Sequence, residues 1–149
     1  ELTAMRMREG ESLKRDMLGK LDTIERLRGQ IETRAPHVVE EYREKLSQRL
    51  SALLSGDVDE ARFLTEVAIF ADRAAIDEEL VRLTSHIAQL RAATAMENPV
   101  GRKLDFLVQE LNREFNTIGS KASDAQIAQC VVEAKGEIEK LREQVQNIE

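Results

Sequence analysis

Apolar residues recur along this chain at intervals of three and four, and strand-like alternation is absent, so the pattern predicts helices from end to end. Five segments can be read. The first runs from about Leu2 to Arg34 on a stripe of Leu13, Met17, Leu21, Ile24, Leu27 and Ile31. Pro36 is expected to end it, because the residue before a proline is pushed out of the helical region. A second helix is expected to start at Pro36 and to bury Val39, Tyr42, Leu46, Leu50 and Leu53, with Ser55-Gly56 as its stop. Asp57 with Glu60 reads as a capping box that opens a third, long helix reaching Ala95, with Phe63, Val67, Phe70, Ala74, Leu80, Leu83, Ile87 and Leu90 as its stripe.

Asn98-Pro99 signals the start of a fourth helix, whose stripe is Leu104, Leu107, Val108, Leu111, Phe115 and Ile118 and whose expected end is Gly119. Ser123-Asp124-Ala125-Gln126 is expected to cap the fifth. Its seam, Ile127, Val131, Ala134, Ile138, Leu141, Val145 and Ile148, alternates fours and threes, as in a helix packed lengthwise on another. Short connections make neighbours antiparallel. The expected fold is therefore all-α: an elongated antiparallel bundle of long, coiled-coil-like helices. The expected division is a helical hairpin over 1–62 and a helical domain over 63–149.

Composition agrees. Of the 149 residues, 34% are charged and 3% aromatic, with 7 Gly and 2 Pro, a balance suited to amphipathic helices. The net charge of −6 repels nucleic acid overall, so any binding of RNA or DNA must rest on a local basic patch or a bound cation. No apolar run is long enough to span a membrane. A single cysteine, Cys130, allows no intrachain disulfide, is expected to be a buried thiol, and suits a reducing cytosol. The first residue is Glu1, and the chain reads as part of a longer protein.

Two segments carry candidate chemistry. Along Glu66–His86, Asp72, Glu79 and His86 lie seven apart on one stripe, flanked by Arg82 and Ser85. Members of such a stripe stand about 10 Å apart, too far for one ion to bridge, so a metal needs carboxylates from a second helix. Glu110 and Glu114 are the expected donors, and Asp72, Glu79, Glu110 and Glu114 together would suit Mg²⁺ or Mn²⁺. The alternative is a salt-bridged helix face. His86 is either structural or a proton donor and acceptor near neutral pH. His37 is expected to be an exposed loop residue.

The fourth helix also holds Arg102, Lys103, Arg113 and Lys121 among Gln109, Asn112, Asn116, Thr117 and Ser120. Asn, Thr and Ser are mediocre helix formers, so their presence beside cations suggests a surface that meets phosphates and hydroxyls. The alternative is a solvated face with Arg102 on Asp105 and Arg113 on Gln109 or Glu110. Gly119 is expected to allow a positive φ, placing Ser120 and Lys121 before the next helix N-terminus, where anions are favoured. Walker loops, nucleophile elbows and CxxC pairs are absent, and the aromatics fall mostly on core stripes rather than on an RNA-stacking platform.

These segments together resemble the YicC family of bacterial proteins. The likeness is carried by MRMREGESL (Met5–Leu13), FADRAAIDEELVRLTSH (Phe70–His86), GRKLDFLVQELNREFNTIGSK (Gly101–Lys121) and EIEKLREQVQNIE (Glu137–Glu149), and covers essentially the whole chain as the C-terminal half of a longer protein. Phe115 stands where smaller residues are common in the family. The resemblance implies a cytoplasmic, metal-assisted endoribonuclease, with Mn²⁺ or Mg²⁺, forming a ring-like homo-oligomer, a hexamer, that closes around RNA. Positions carried over by motif are Glu66, Asp72, Asp77, Glu79 and His86, then Arg102, Lys103, Asp105, Glu110, Arg113, Glu114, Asn116, Thr117, Ser120 and Lys121. In that reading Glu79, His86, Glu110, Glu114 and Lys121 are catalytic, with His86 as either a proton shuttle or a support for the groups that hold the metal. Arg102, Lys103, Arg113, Asn116, Thr117 and Ser120 contact RNA. The other readings of the same residues are a non-enzymatic RNA clamp and a structural helical oligomerisation module.

Overall fold

A computed structural model describes residues 2–54 and 56–148. Its helices are α1 (Leu2–Leu53), α2 (Glu60–Ala74), α3 (Asp77–Ala95), α4 (Gly101–Lys121) and α5 (Ala125–Ile148), and no strand occurs among the described residues. The architecture is all-α. Helices α1, α3, α4 and α5 form a four-membered bundle in which α4 packs on both α3 and α5, and α1 on both α5 and α3. Helix α2 packs against α1.

The core is built from the stripes that the spacing predicts. Met17, Leu21, Ile24, Leu27 and Ile31 of α1 meet Leu80, Leu83, Ile87 and Leu90 of α3, the full stripe of α4, and Ile127, Val131, Ala134, Ile138, Leu141 and Val145 of α5. Burying such side chains removes apolar area from water at about 25 cal/mol per Å² and is the main force holding the helices together. The expected boundary between 62 and 63 falls inside α2, and the first half of α1 shares its core with α3–α5.

Two expected helix boundaries are corrected. Pro36 does not end the first helix: α1 is 52 residues long and runs on to Leu53 with Pro36 inside it. A mid-helix proline removes one hydrogen bond and crowds the carbonyl four residues back. Tertiary contacts offset that loss. Ile31 and Val38, either side of Pro36, are both buried in the core. Arg34 donates to Glu41 (2.9 and 2.6 Å) across the proline and to Asp124 at the head of α5 (3.1 and 2.9 Å). His37 is accordingly exposed but helical.

The long third helix divides into α2 and α3 at Ala75-Ile76. Ala75 is extended (φ −67°, ψ 121°), and the turn lets Ile76 bury its side chain at 2% exposure. Asp77, Glu78 and Glu79 then fill the first turn of α3, where carboxylates oppose the positive end of the helix dipole. Helix α2 buries no residue fully and is anchored on α1 by Phe70, whose ring stacks on Tyr42 at a centroid distance of 3.9 Å.

Capping differs in detail. Asp59, not Asp57, caps α2, accepting a hydrogen bond from Arg62 N (3.3 Å). Val100 precedes α4 with no side-chain cap, so Asn98 does not serve there. Within the expected capping run of α5, Asp124 is the residue that accepts from Ile127 N (3.0 Å). Gly119 neither ends α4 nor takes a positive φ, so Ser120 and Lys121 lie in the last turn of α4 rather than in an anion-binding loop. Gly119 instead marks close packing: a Cβ there would meet Val131 Cγ1 at 3.3 Å. Cys130 is half-buried, its Sγ 3.6 Å from Gln30 Oε1, and burial raises its pKa.

Candidate functional site

The seam between α3 and α4 carries a ladder of polar pairs. Glu79, Arg82 and His86 occupy one face of α3 at spacings of three and four, which is one helical stripe. Lys121, Glu114 and Glu110 run down the facing side of α4. The rungs are Glu79 Oε1 with Lys121 Nζ (2.7 Å), Glu114 Oε1 with Arg82 Nε (2.8 Å) and His86 Nε2 with Glu110 Oε2 (3.9 Å).

Two of the carboxylates are deeply placed, Glu79 at 2% exposure and Glu114 at 5%. Buried carboxylates require compensation, and the cations supply it. Arg82 serves both, since its Nη2 also lies 3.5 Å from Glu79 Oε1. For Glu79, burial pushes the pKa up, but the Lys121 hydrogen bond, the backbone hydrogen bond and the charges of Lys121 and Arg82 together hold it below the ordinary range. The hydrogen bond to Glu114, together with the surrounding carboxylates, raises the Arg82 pKa against the opposing effect of desolvation. Lys121 Nζ also donates to Ala75 O (3.3 Å), so the ladder is tied to the α2–α3 break.

At the last rung, one nitrogen of His86 and one oxygen each of Glu110 and Glu114 lie within 4.8 Å of one another. Both ring nitrogens of His86 are buried and have no hydrogen-bond partner among the described residues. Buried ring nitrogens require a hydrogen-bond or ligand partner, and the side chains around His86 that offer one are carboxylates. Imidazole with two carboxylates is a donor set for a divalent first-row ion, and among the expected metals it favours Mn²⁺ over Mg²⁺, which prefers oxygen and water alone. The residues present therefore fit a divalent cation.

The structure does not bring all expected metal residues together. Asp72 sits exposed on α2, on the far side of the Ala75-Ile76 break, so the spacing of seven that linked it to Glu79 no longer places them on one stripe. Glu66 is likewise exposed on α2, and Asp77 is exposed in the first turn of α3. Glu79 belongs to the ladder but not to the three-residue cluster, which includes His86 instead.

On α4, Arg102, Lys103, Arg113, Asn116 and Ser120 are exposed, and Thr117 is half-buried. Arg102, Lys103 and Arg113 form no ion pair among the described residues, so the pairing of Arg102 with Asp105 and of Arg113 with Glu110 is not seen. Asp105 accepts instead from Gln109 (3.0 Å). The hydroxyls of Thr117 and Ser120 donate to α4 carbonyls, those of Arg113 and Thr117, leaving their oxygens as acceptors. Two residues of this region have a part that stripes alone do not show. Arg82, expected only as a flank of His86, pairs with both Glu114 and Glu79. Phe106 lies off the core stripe of α4 and is 58% exposed, although aromatics are expected mostly in the core.

Comparison with known proteins bears on this seam. A family model described as "Endoribonuclease YicC-like, C-terminal" matches residues 31–149, which include α2 to α5 and the whole ladder. A protein of Clostridioides difficile (strain 630) named "Probable endoribonuclease YicC" is 50% identical over 151 aligned positions, covering 100% of this chain and 52% of the relative. A protein of the same name from Haemophilus influenzae is 41% identical over 150, with the same coverage of 100% and 52%. The chain thus spans about half the length of the curated relatives it matches. With its family model matched across most of its length, this chain belongs to the endoribonuclease YicC-like family.

Proposed function

We propose that this chain contributes the cleavage centre of a metal-assisted endoribonuclease. The observation that carries the reading is the convergence of His86, Glu110 and Glu114 at the α3–α4 seam, beside a helix surface rich in unpaired cations. The relatives' names support RNA as the substrate.

Phosphodiester cleavage requires a nucleophile in line with the leaving oxygen and neutralisation of charge on the phosphoryl oxygens. His86, Glu110 and Glu114 would hold Mn²⁺ or Mg²⁺, which when bound supplies Lewis-acid stabilisation of that charge. Arg82 orients Glu114 by its hydrogen bond. Lys121, half-exposed and held by Glu79, would reach a phosphate at the seam by exchanging part of that contact. Arg102, Lys103 and Arg113 hold flanking phosphates, and Asn116, Thr117 and Ser120 offer hydrogen bonds to ribose hydroxyls. His86, with its ring nitrogens uncommitted, is the residue placed for proton transfer where it does not ligate the ion.

The active form proposed is a homo-oligomeric ring, a hexamer, that closes around RNA in the cytoplasm. No described helix is long and apolar enough to cross a membrane. The test is incubation of the full-length protein with an end-labelled RNA in Mn²⁺, in Mg²⁺ and in EDTA, with sedimentation to measure assembly. Fragments that appear with metal and vanish with EDTA and with Glu110→Gln support the reading. Tight, salt-sensitive binding with no fragments under any condition replaces it with a clamp that holds RNA without cutting it.

A further inference from the structure

Phe106 is out of place for a soluble helix. The core-facing side of α4 is already filled by Leu104, Leu107, Val108, Leu111, Phe115 and Ile118. At 100° per residue, Phe106 points to the opposite side, where a polar residue would cost nothing. Its surroundings there are not apolar. Arg102 lies one turn before it, Gln109 and Glu110 one turn after, and Arg113 two turns after, all on the same side of the helix. Within α4 no other large apolar side chain is exposed. A helix face that docks another protein segment usually presents several apolar anchors at spacings of three, four and seven. A single ring between guanidinium groups has a different complement: a flat, electron-rich group attached to a phosphate backbone.

The position of the ring is also specific. Glu110, four residues on, belongs to the His86–Glu110–Glu114 cluster, so Phe106 stands about one helical pitch, ~5 Å, along α4 from it. We propose that Phe106 stacks on an unpaired base of RNA next to the phosphate held at the α3–α4 seam, with Arg102 and Arg113 on the phosphates to either side. This rests on the reading of the seam as an RNA-cleaving centre and deepens it: the substrate is single-stranded at the site of cleavage. Aromatic rings bind bases through their faces and only where bases are unpaired, which duplex RNA does not offer.

The test exploits the absence of tryptophan from the chain, which makes Phe106→Trp its single indole. In EDTA, the F106W chain is titrated with a short single-stranded RNA, with the same backbone carrying abasic sites, and with a duplex of equal charge. Indole fluorescence should be quenched by the first and not by the other two. In parallel, Phe106→Ala and Phe106→Leu should each weaken single-strand binding by about five- to a hundredfold, the range expected for loss of one stacked base, while Phe106→Tyr retains it. If all variants bind RNA equally and the indole does not respond, the stacking proposal falls while metal-dependent cleavage by the full-length protein can still stand. If F106A leaves binding intact but changes the sedimentation of the RNA-free protein, Phe106 is a subunit contact and the proposal is overturned. Failure of the chain and of the full-length protein to bind RNA at all removes both this proposal and the reading beneath it.

Discussion

Lys121, in the last turn of α4, places its Nζ 2.7 Å from Oε1 of Glu79, in the first turn of α3, and so closes one end of the polar seam between them. Glu79 is buried and its second oxygen has no hydrogen-bond partner among the described residues, so its charge depends on Lys121 and Arg82. Lys121→Ala should therefore destabilise the bundle by about 1–2 kcal/mol, less than for a fully buried pair because the lysine remains partly solvated. The sign of the pH effect follows from the lowered pKa of Glu79. Its contribution is complete above the ordinary value of 4.5 and is lost as pH falls through the lower folded-state value. Thermal melts from pH 7 to pH 3 should show the wild type losing more stability on acidification than the variant.

Asp124 does two things that substitutions can separate. It caps α5 and accepts from Arg34, whose hydrogen bond is the main cause holding the Asp124 pKa below 3.8. Asparagine keeps the cap and removes the charge, whereas alanine removes both. Asp124→Ala should be about 1 kcal/mol less stable than Asp124→Asn at pH 7. The gap between wild type and Asp124→Asn should begin to shrink once pH falls below 3.8 and close as pH falls through the lower folded-state value. Chemical denaturation at pH 7 and pH 3 measures both differences.

Under the proposed reading, removal of one carboxylate from the His86–Glu110–Glu114 cluster should cut cleavage sharply without unfolding the chain. Glu110 is the residue of choice, being half-buried and paired with no guanidinium among the described residues, so Glu110→Gln should retain the wild-type melting temperature. Cleavage should drop by at least about a hundredfold, as for loss of a group that stabilises developing charge. A variant that cuts at the wild-type rate in Mn²⁺ would sink the assignment.

Neutralising Arg102, Lys103 and Arg113 together should flatten the salt dependence of RNA binding. On a single strand, each phosphate that the protein ceases to neutralise lowers the slope of log K against log[salt] by about 0.7, so the triple variant's slope should be shallower by about 2. Binding isotherms at several salt concentrations give the slope directly, and an unchanged slope would place the RNA elsewhere.

Glycines divide by their surroundings. A Cβ at Gly136 meets open space, so Gly136→Ala in α5 should stabilise by about 0.5–1 kcal/mol through helix propensity. At Gly119 the same gain is opposed by Val131, and Gly119→Val should force α4 and α5 apart and destabilise the bundle. Calorimetry of Gly136→Ala, Gly119→Ala and Gly119→Val distinguishes the two environments.

Some of this molecule is legible from residue order alone, and some is not. The stripes of α4 and α5 predict their buried residues because a helix repeats every 3.6 positions and each stripe must face the core. The pairing of Glu110 with Glu114 on one side of α4 follows in the same way. The fate of Pro36 does not, because the loss it imposes is local while Ile31, Val38 and the Arg34 clamp that offset it meet partners far along the chain. The break at Ala75-Ile76 had a local sign, the Asp77-Glu78-Glu79 triplet, but the burial of Ile76 that favours the turn is tertiary.

Periodicity alone determines that the chain is helical, which residues of α4 and α5 line the core, and which face of α4 carries cations and amides, whereas the stripe from Val39 to Leu53 and that of α2 stay only partly covered. Only the folded bundle decides that Asp72 stands apart, that Arg82 binds Glu114, and that His86 meets Glu110 and Glu114 across the seam. The reason is range. A helix dictates the angle of each of its own side chains through backbone hydrogen bonds a few residues long, whereas register between two helices is set by how their side chains interlock, and no short stretch of either contains that information.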